Sequence, residues 1–456
     1  MAVRVGGDGP GAVHRRAHPD PRPPDQRRRR GVAAHRGPHP DPPPGGRRRD
    51  GGRPRRRSPD AGHHRRAPVL RAGAGGGRAD PLAQHHHQRS GGTGVSVRLL
   101  SAFPPTGRSP VAAAALAVPL TAVSRTAVLT APLVAAVWAK SLADTAEATG
   151  TAMRVEPLVT ADLAGITAEV VRTDETALRS LTSWFHHVPP PGEPELERLR
   201  EDCVARLPTS ERGSEDVRRA LFGDRHRYGV THRERAAHLR EAGVRTVEDA
   251  MAELLAERPA AFARADDAAR PPGRRTAVRV DGARACCLIG APGVALASPR
   301  KFPLHVAWAA LGGRDGLLDR RLRQERALTY SIAAFSRELA EGGYGMCVAA
   351  CRPEALDEVS AVVRDTFAAL AKDGVSGAAL RSVKERLIVR QHRALQTARG
   401  RAERLLGYAA AGLPPADLDR YPRNIATVTS ADVRSAAATT LTPETFLELK
   451  LIPAMS

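Results

Sequence analysis

Along residues 95–264 the spacing of apolar positions changes period several times, and each change predicts an element. "VSVRLLSAF" (95–103) alternates as a strand, and "VEPLVTADLAGITAEVV" (155–171) alternates as two strands about a turn. Between them, Val111 to Trp138 is Ala-rich and apolar at almost every position, which predicts two buried helices; Pro119 and Pro132 inside the run argue against a membrane span. From Asp174 the period lengthens. "DETALRSLTSWF" sets Leu178, Leu181 and Trp184 about one turn apart, and "PELERLREDCVARL" and "SEDVRRALFG" each open on an acidic or capping residue. "VRTVEDAMAELLAERPAAFARA" gives another helix before "DDAARPPGRR", which reads as a linker.

The second half repeats this order of strand, helices, strand pair and helices. "TAVRVDGARACCLIGAPG" predicts one strand ending at Gly290, and "FPLHVAWAALGG" a helix closed by Gly312 and Gly313. "GLLDRRLRQER" is a short helix, and "LTYSIAAFSREL" with "YGMCVAACR" forms a hairpin about "AEGG". The next helix starts at Pro353 and lines up Leu356, Val359, Val363, Phe367 and Leu370. Residues 376–412 predict a long basic helix or a broken pair, 417–441 two more helices, and "FLELKLIP" a closing strand. The fold class is therefore α+β: two consecutive domains, each an antiparallel sheet covered by helices. Their expected bounds are 95–264 and 278–456, joined by a linker over 265–277, with a separate segment at 1–94.

Charge changes the picture only at that segment. Of the net +21, residues 1–94 carry +14 (21 Arg, no Lys, 7 Asp), which leaves +7 for the rest. The segment has no Ile, Phe, Tyr, Trp or Glu, so it cannot bury enough apolar surface to offset the entropy of ordering, and disorder is expected. Three readings stay open for it: a non-specific phosphate-binding arm, weak metal binding by His85, His86 and His87, or translation from a start placed too early. Nucleic acid is expected as a partner only there, and non-specifically. No apolar core with a cleavage site marks a secretory signal. Five cysteines, none at zinc or redox spacing, suit a reducing compartment, so the expected location is the cytoplasm, with no membrane partner.

"CCLIGAPG", "LGGRDGLLDRRLRQERALTYSI", "YGMCVAACRPEALDEV", "GVSGAALRSVKERL" and "VTSADVRSAAATTLTPE" run in an order that resembles the C-terminal domain of the pitrilysin or insulinase family. These are zinc peptidases with an inverted H-x-x-E-H motif. "VSVRLLSAFPPTGRSP", "ATGTAMRVEPLVTADLAGITAEVV" and "LFGDRHRYGVTHRE" extend the resemblance, more weakly, into the first half. The resemblance implies that the first domain supplies zinc and its base. It implies that the second supplies an Arg and a Tyr, here Arg323 and Tyr330, which contact the substrate backbone and the oxygen that gains charge in the tetrahedral intermediate. A guanidinium fork and a phenol are suited to that work. Read without the family, Arg323 is a surface ion pair and Tyr330 a packing residue.

Zinc hydrolysis needs three protein ligands, an open fourth position and a carboxylate base. Neither H-x-x-E-H nor H-E-x-x-H occurs. Laying the family pattern on "PVAAAALAVPL", where the resemblance places its first helix, puts Ala113, Leu116 and Ala117 at the chemical positions; matching "LREDCVARL" to the later helix puts Arg206 at the third ligand. His238 and Glu241 have motif spacing but Ala242 follows; His232 lies six residues from His238, and His186 and His187 adjoin a Pro-rich turn. All are expected as solvated polar residues. The expected function is thus a catalytically incomplete peptidase-like subunit, not a peptidase alone. It would hold no metal, pair with a zinc-bearing homologue and contribute the Arg/Tyr clamp for a peptide substrate. The alternatives are an active zinc metalloendopeptidase with other ligands, or a scaffold homologue with no substrate role.

Overall fold

Residues 96–97, 99–104, 109–208, 212–256, 258–259, 274–280 and 284–454 are described by a computed structural model of the chain. The segment at 1–94, its three histidines and most of the expected linker lie outside them. In chain order the first half forms β1 (Ser96–Val97), β2 (Leu100–Ala102), β3 (Val111–Pro119), α1 (Arg125–Ala148), β4 (Met153–Val159) and β5 (Leu163–Val171). The helices α2 (Glu175–Arg179), α3 (Leu181–Trp184), α4 (Glu193–Ala205), α5 (Arg212–Phe222), α6 (His232–Glu241) and α7 (Val244–Leu255) follow, then β6 (Arg258–Pro259), which pairs with β1.

The second half runs β7 (Arg274–Val280), β8 (Ala285–Pro292), α8 (Lys301–Leu311), a single π-helical turn at Asp319–Gln324, β9 (Thr329–Glu338) and β10 (Gly343–Cys351). It continues through α9 (Leu356–Asp373), α10 (Gly377–Ala394), α11 (Ala398–Ala410), α12 (Ala416–Thr427) and α13 (Ser430–Thr440) to β11 (Leu447–Pro453).

Two sheets result. The first has the order β2-β3-β5-β4 and is antiparallel throughout, with Val111 opposite Val171 and Pro119 opposite Leu163. The second has the order β7-β11-β8-β10-β9. It is mixed rather than antiparallel, because β7 runs parallel to β11, with Arg274 opposite Leu447. Two expectations change here: Arg274–Ala277, read as linker, begins β7, and the single strand ending at Gly290 is two, β7 and β8. An edge strand with exposed arginines has the same composition as a linker, so only pairing distinguishes them.

The Ala-rich run is the larger correction. It is a strand followed by one helix, not two helices. Along β3, Ala112, Ala114, Leu116 and Val118 join the core under α1, while Ala115 and Ala117 join a separate core under α11, a helix of the second half. With both faces covered, the two-residue alternation disappears, and an alanine-rich strand imitates a helix. α1 is long and apolar enough by length and composition to cross a bilayer, yet Leu133, Val134, Val137 and Trp138 are buried inside the protein.

The halves exchange helices in both directions. α11 covers the open face of the first sheet, and α5 of the first half lays Val217 and Leu221 on Leu288, Met346, Leu447 and Leu449 of the second. A polar junction reinforces this. Arg227 pairs with Asp162 at 2.9 Å and with Glu341; the backbone N–H of Ala340 donates to Asp162 and that of Glu341 to the Tyr228 hydroxyl. The described residues of the two halves accordingly cluster as one compact unit.

Candidate functional site

Arg323 and Tyr330 flank a chain reversal whose backbone is closed twice: the N–H of Ala327 donates to the carbonyl of Arg323, and that of Leu328 to the carbonyl of Leu322. Ala327 takes φ +51 to make the turn, a conformation that a side chain disfavours. Arg323 itself sits in the widened π turn, where the N–H of Glu325 reaches back five residues to the carbonyl of Arg320. Such turns recur at functional sites. Its guanidinium forks onto buried Asp319, at 2.9 Å from Nε and 3.1 Å from a terminal nitrogen. Asp319 also accepts from Gln324 and from the backbone of Asp315. Burial opposes the charge on Asp319, but these donors and the Arg323 cation hold its carboxyl below the ordinary range. The ion pair therefore positions Arg323 and leaves it half in solvent.

Tyr330 is placed by a different device. Ser331 pairs with Ala350 and Thr329 with Cys351, so Tyr330 is the extra residue of a β-bulge with no partner on β10. Bulges re-aim side chains, and this one projects the ring outward: Tyr330 is 59% exposed, and its hydroxyl makes no hydrogen bond among the described residues. Beside it opens a cavity of about 330 Å³ lined by Arg284, Tyr330, Cys351, Arg352 and Pro353. The Arg284 guanidinium lies 6.0 Å from the ring centroid. Among the described residues no hydrogen bond or cation–π contact joins Arg323 to Tyr330. Arg284 and Arg352 escape a sequence reading because neither belongs to a motif.

The positions laid out for zinc do not form a site. Ala113, Leu116 and Ala117 lie on β3 and are buried, not on a helix, because the first helix of the sheet domain is α1. Arg206 is the exposed C-cap of α4, and among the side chains that α4 turns to α1 is Cys203, whose thiol donates to the carbonyl of Pro132 at 3.6 Å. The stripe Leu196, Leu199, Cys203 ends one turn before Arg206, where the helix stops.

α1 carries no His or Cys, and the potential ligands that reach it are each engaged singly. Ser124, its N-cap, donates from backbone and hydroxyl to Glu253, both at 2.6 Å. Arg125 forks onto Glu234, and Thr130 meets Nε2 of His238 at 2.8 Å. Burial lowers the His238 pKa and raises that of Cys203 to about 11. Among the described residues no three His, Cys, Asp or Glu side chains converge as a metal site. The donor set around α1 thus does not fit a catalytic zinc.

His238 is half-buried on α1 rather than solvated as expected; Glu241 is exposed and Ala242 is buried. His232 instead lies near Glu215, 3.5 Å away, and His187 is exposed. The side chain of His186 lies outside the described residues. All five cysteines are free thiols.

Residues 241–387 match the family described as "Peptidase M16 inactive domain". An uncharacterized zinc protease of Streptomyces coelicolor is 31% identical over 125 residues, which covers 24% of this chain and 27% of the relative. The chain thus spans about a quarter of the length of the curated relative it matches. The crystal structure of a peptidase M16 inactive domain from Pseudomonas fluorescens superposes with a TM-score of 0.59 at 16% identity, covering 79% of this chain and 99% of that one. A chain of complex III2 from Candida albicans superposes with a TM-score of 0.54 at 13% identity, covering 70% of this chain and 86% of that one. At these identities the structures share the fold.

Proposed function

Because residues 241–387 match the M16 inactive peptidase domain and the chain shares the fold of such a domain, we propose that this is a catalytically incomplete peptidase-like subunit whose zinc-bearing homologue supplies the metal. In this reading Arg323 and Tyr330 form one side of a shared peptide-binding chamber. The observation that carries it is the bulge that leaves Tyr330 exposed with an unspent hydroxyl, seven residues along the same chain reversal from an arginine anchored by Asp319. In the assembled complex the phenol would donate to the oxygen that gains charge, and the guanidinium to a backbone carbonyl. The homologue would contribute the metal-bound water and its base. The same reading places the chain in a reducing compartment, where its five thiols stay free.

The test is turnover by the copurified complex. Tyr330→Phe should lower peptide hydrolysis by about 100-fold or more, the size of a lost oxyanion donor, while stability changes by less than about 0.5 kcal/mol. Arg323→Ala should lower turnover as well. A second reading, a scaffold without substrate contact, draws on the Arg323–Asp319 pair, which by itself is an ordinary structural ion pair. Unchanged turnover in both variants would decide for the scaffold. Stoichiometric zinc bound to the isolated chain would decide for an active enzyme.

A further inference from the structure

The cavity beside Tyr330 has a chemistry of its own. Among the described residues five line it, of which two are arginines, one is a phenol and none is a carboxylate. Arg284 and Arg352 are exposed, and neither guanidinium has a salt bridge or a side-chain hydrogen bond among the described residues. Both guanidiniums are therefore available to a ligand, unlike those of Arg125, Arg227, Arg364, Arg399 and Arg401, which are each committed to a carboxylate within 3 Å.

Position strengthens the field. Arg352 caps the short 3-10 turn Pro353–Ala355 that leads directly into the 18-residue helix α9, so the positive end of that helix follows the lining residues Arg352 and Pro353 along the chain. Asp357 and Glu358 lie in the first turn of α9, but Asp357 is taken by Lys450 and Glu358 by Arg326. Glu354 is exposed and lies next to the lining residues without being one of them. The ring of Tyr330, held under the Arg284 guanidinium, adds a flat wall that leaves the N–H edges of the arginine free. A volume of about 330 Å³ accommodates one side chain with its backbone, at the small end of ligand pockets.

Building on the clamp reading, we propose that this cavity is a carboxylate-binding subsite that selects peptides carrying an acidic group beside the bond held by the clamp. Arg284 and Arg352 grip the carboxylate beside the Tyr330 ring, and Arg323 is not among the residues that line the cavity. The carboxylate has two possible sources with one chemistry, an Asp or Glu side chain or the C-terminal carboxylate of the peptide.

Fluorescence anisotropy of the copurified complex, kept with a chelator so that the probes stay intact, with labelled Ala-rich nonapeptides distinguishes them. The probes are a peptide with a central Glu and an amidated C-terminus, its Gln counterpart with the same amide, and the Gln peptide with a free C-terminus. Binding of one acidic probe about tenfold tighter than the Gln amide is expected, in line with a charge-assisted pair at a partly exposed site. The double variant Arg284→Gln/Arg352→Gln should lose that preference, while Arg284→Lys/Arg352→Lys retains part of it and verifies the fold. Equal binding of all three peptides, or a preference that survives the double Gln variant, would overturn the subsite and leave the clamp standing. Binding of no peptide at all would overturn both. If turnover by the complex survives Arg323→Ala but retains the acidic preference, the subsite stands without the clamp.

Discussion

Tyr330 and Arg323 are held by opposite means, and the difference shows what each residue can tolerate. Tyr330 owes its position to the backbone, because the bulge leaves it without a cross-strand partner. Its phenol can therefore be altered without disturbing the sheet. Arg323 owes its position to a side chain, the buried carboxylate of Asp319, so its removal leaves that carboxylate with Gln324 and a backbone N–H alone. Between them Ala327 occupies left-handed space at φ +51, hydrogen bonded to Arg323. A Cβ there costs roughly 1–2 kcal/mol, against roughly 0.5–1 kcal/mol for the extra freedom that glycine has in the unfolded chain. Ala327→Gly is accordingly expected to stabilise the protein by up to about 1 kcal/mol, measured as a higher urea midpoint; a fall would mean that the turn does not adopt this conformation. The seven-residue spacing of Arg323 and Tyr330 was legible in the sequence, as was the step from helix to strand between them. The bulge was not, since it depends on which residue of β10 faces which of β9. Arg284 and Arg352 were equally hidden, because they converge from the ends of two different strands.

Elements with one buried face followed the periodicity closely. The α9 stripe of Leu356, Val359, Val363, Phe367 and Leu370 is buried, and the break between α10 and α11 separates the two helices that the basic stretch allowed. Thr429 and Asp432 form the capping box that starts α13. β3 failed the same reading because it has no exposed face, its pattern being set by α1 on one side and α11 on the other. The exchange of helices has a specific weak point. A Cβ on Gly290 of β8 would meet a methyl of Val217 on α5 at 2.1 Å. Gly290→Ala is expected to cost about 1–3 kcal/mol by overpacking, measured by chemical denaturation. Val217→Ala in the same chain should recover part of that loss, because it vacates the colliding volume. If the two effects simply add, α5 does not pack on this strand.

At the scale of the whole molecule, the junction of Asp162, Arg227, Tyr228 and Glu341 joins turns from both halves and should govern acid sensitivity. Glu341 loses solvent there, which favours the neutral form, but His226 and Arg227 more than offset this and hold its pKa below the usual 4.5. A carboxyl with a depressed folded pKa contributes stability that is present above its unfolded value and is lost as pH falls through the folded one. Unfolding free energy should therefore decline below pH 4.5, and Glu341→Gln should be less stable at pH 7 yet show a shallower decline. Parallel slopes for the two proteins would remove Glu341 from the account. The sequence by itself determined the α+β order, the spacing of the clamp pair and the lack of an H-x-x-E-H run, because these are properties of local periodicity and of which residue types stand next to each other. Only the tertiary structure decided that β3 is a strand, that Arg206 is the exposed C-cap of α4, that β7 joins the sheet in parallel and that two free arginines flank Tyr330. Each of these depends on what covers a segment or comes to lie beside it, and residues far apart in the chain supply that.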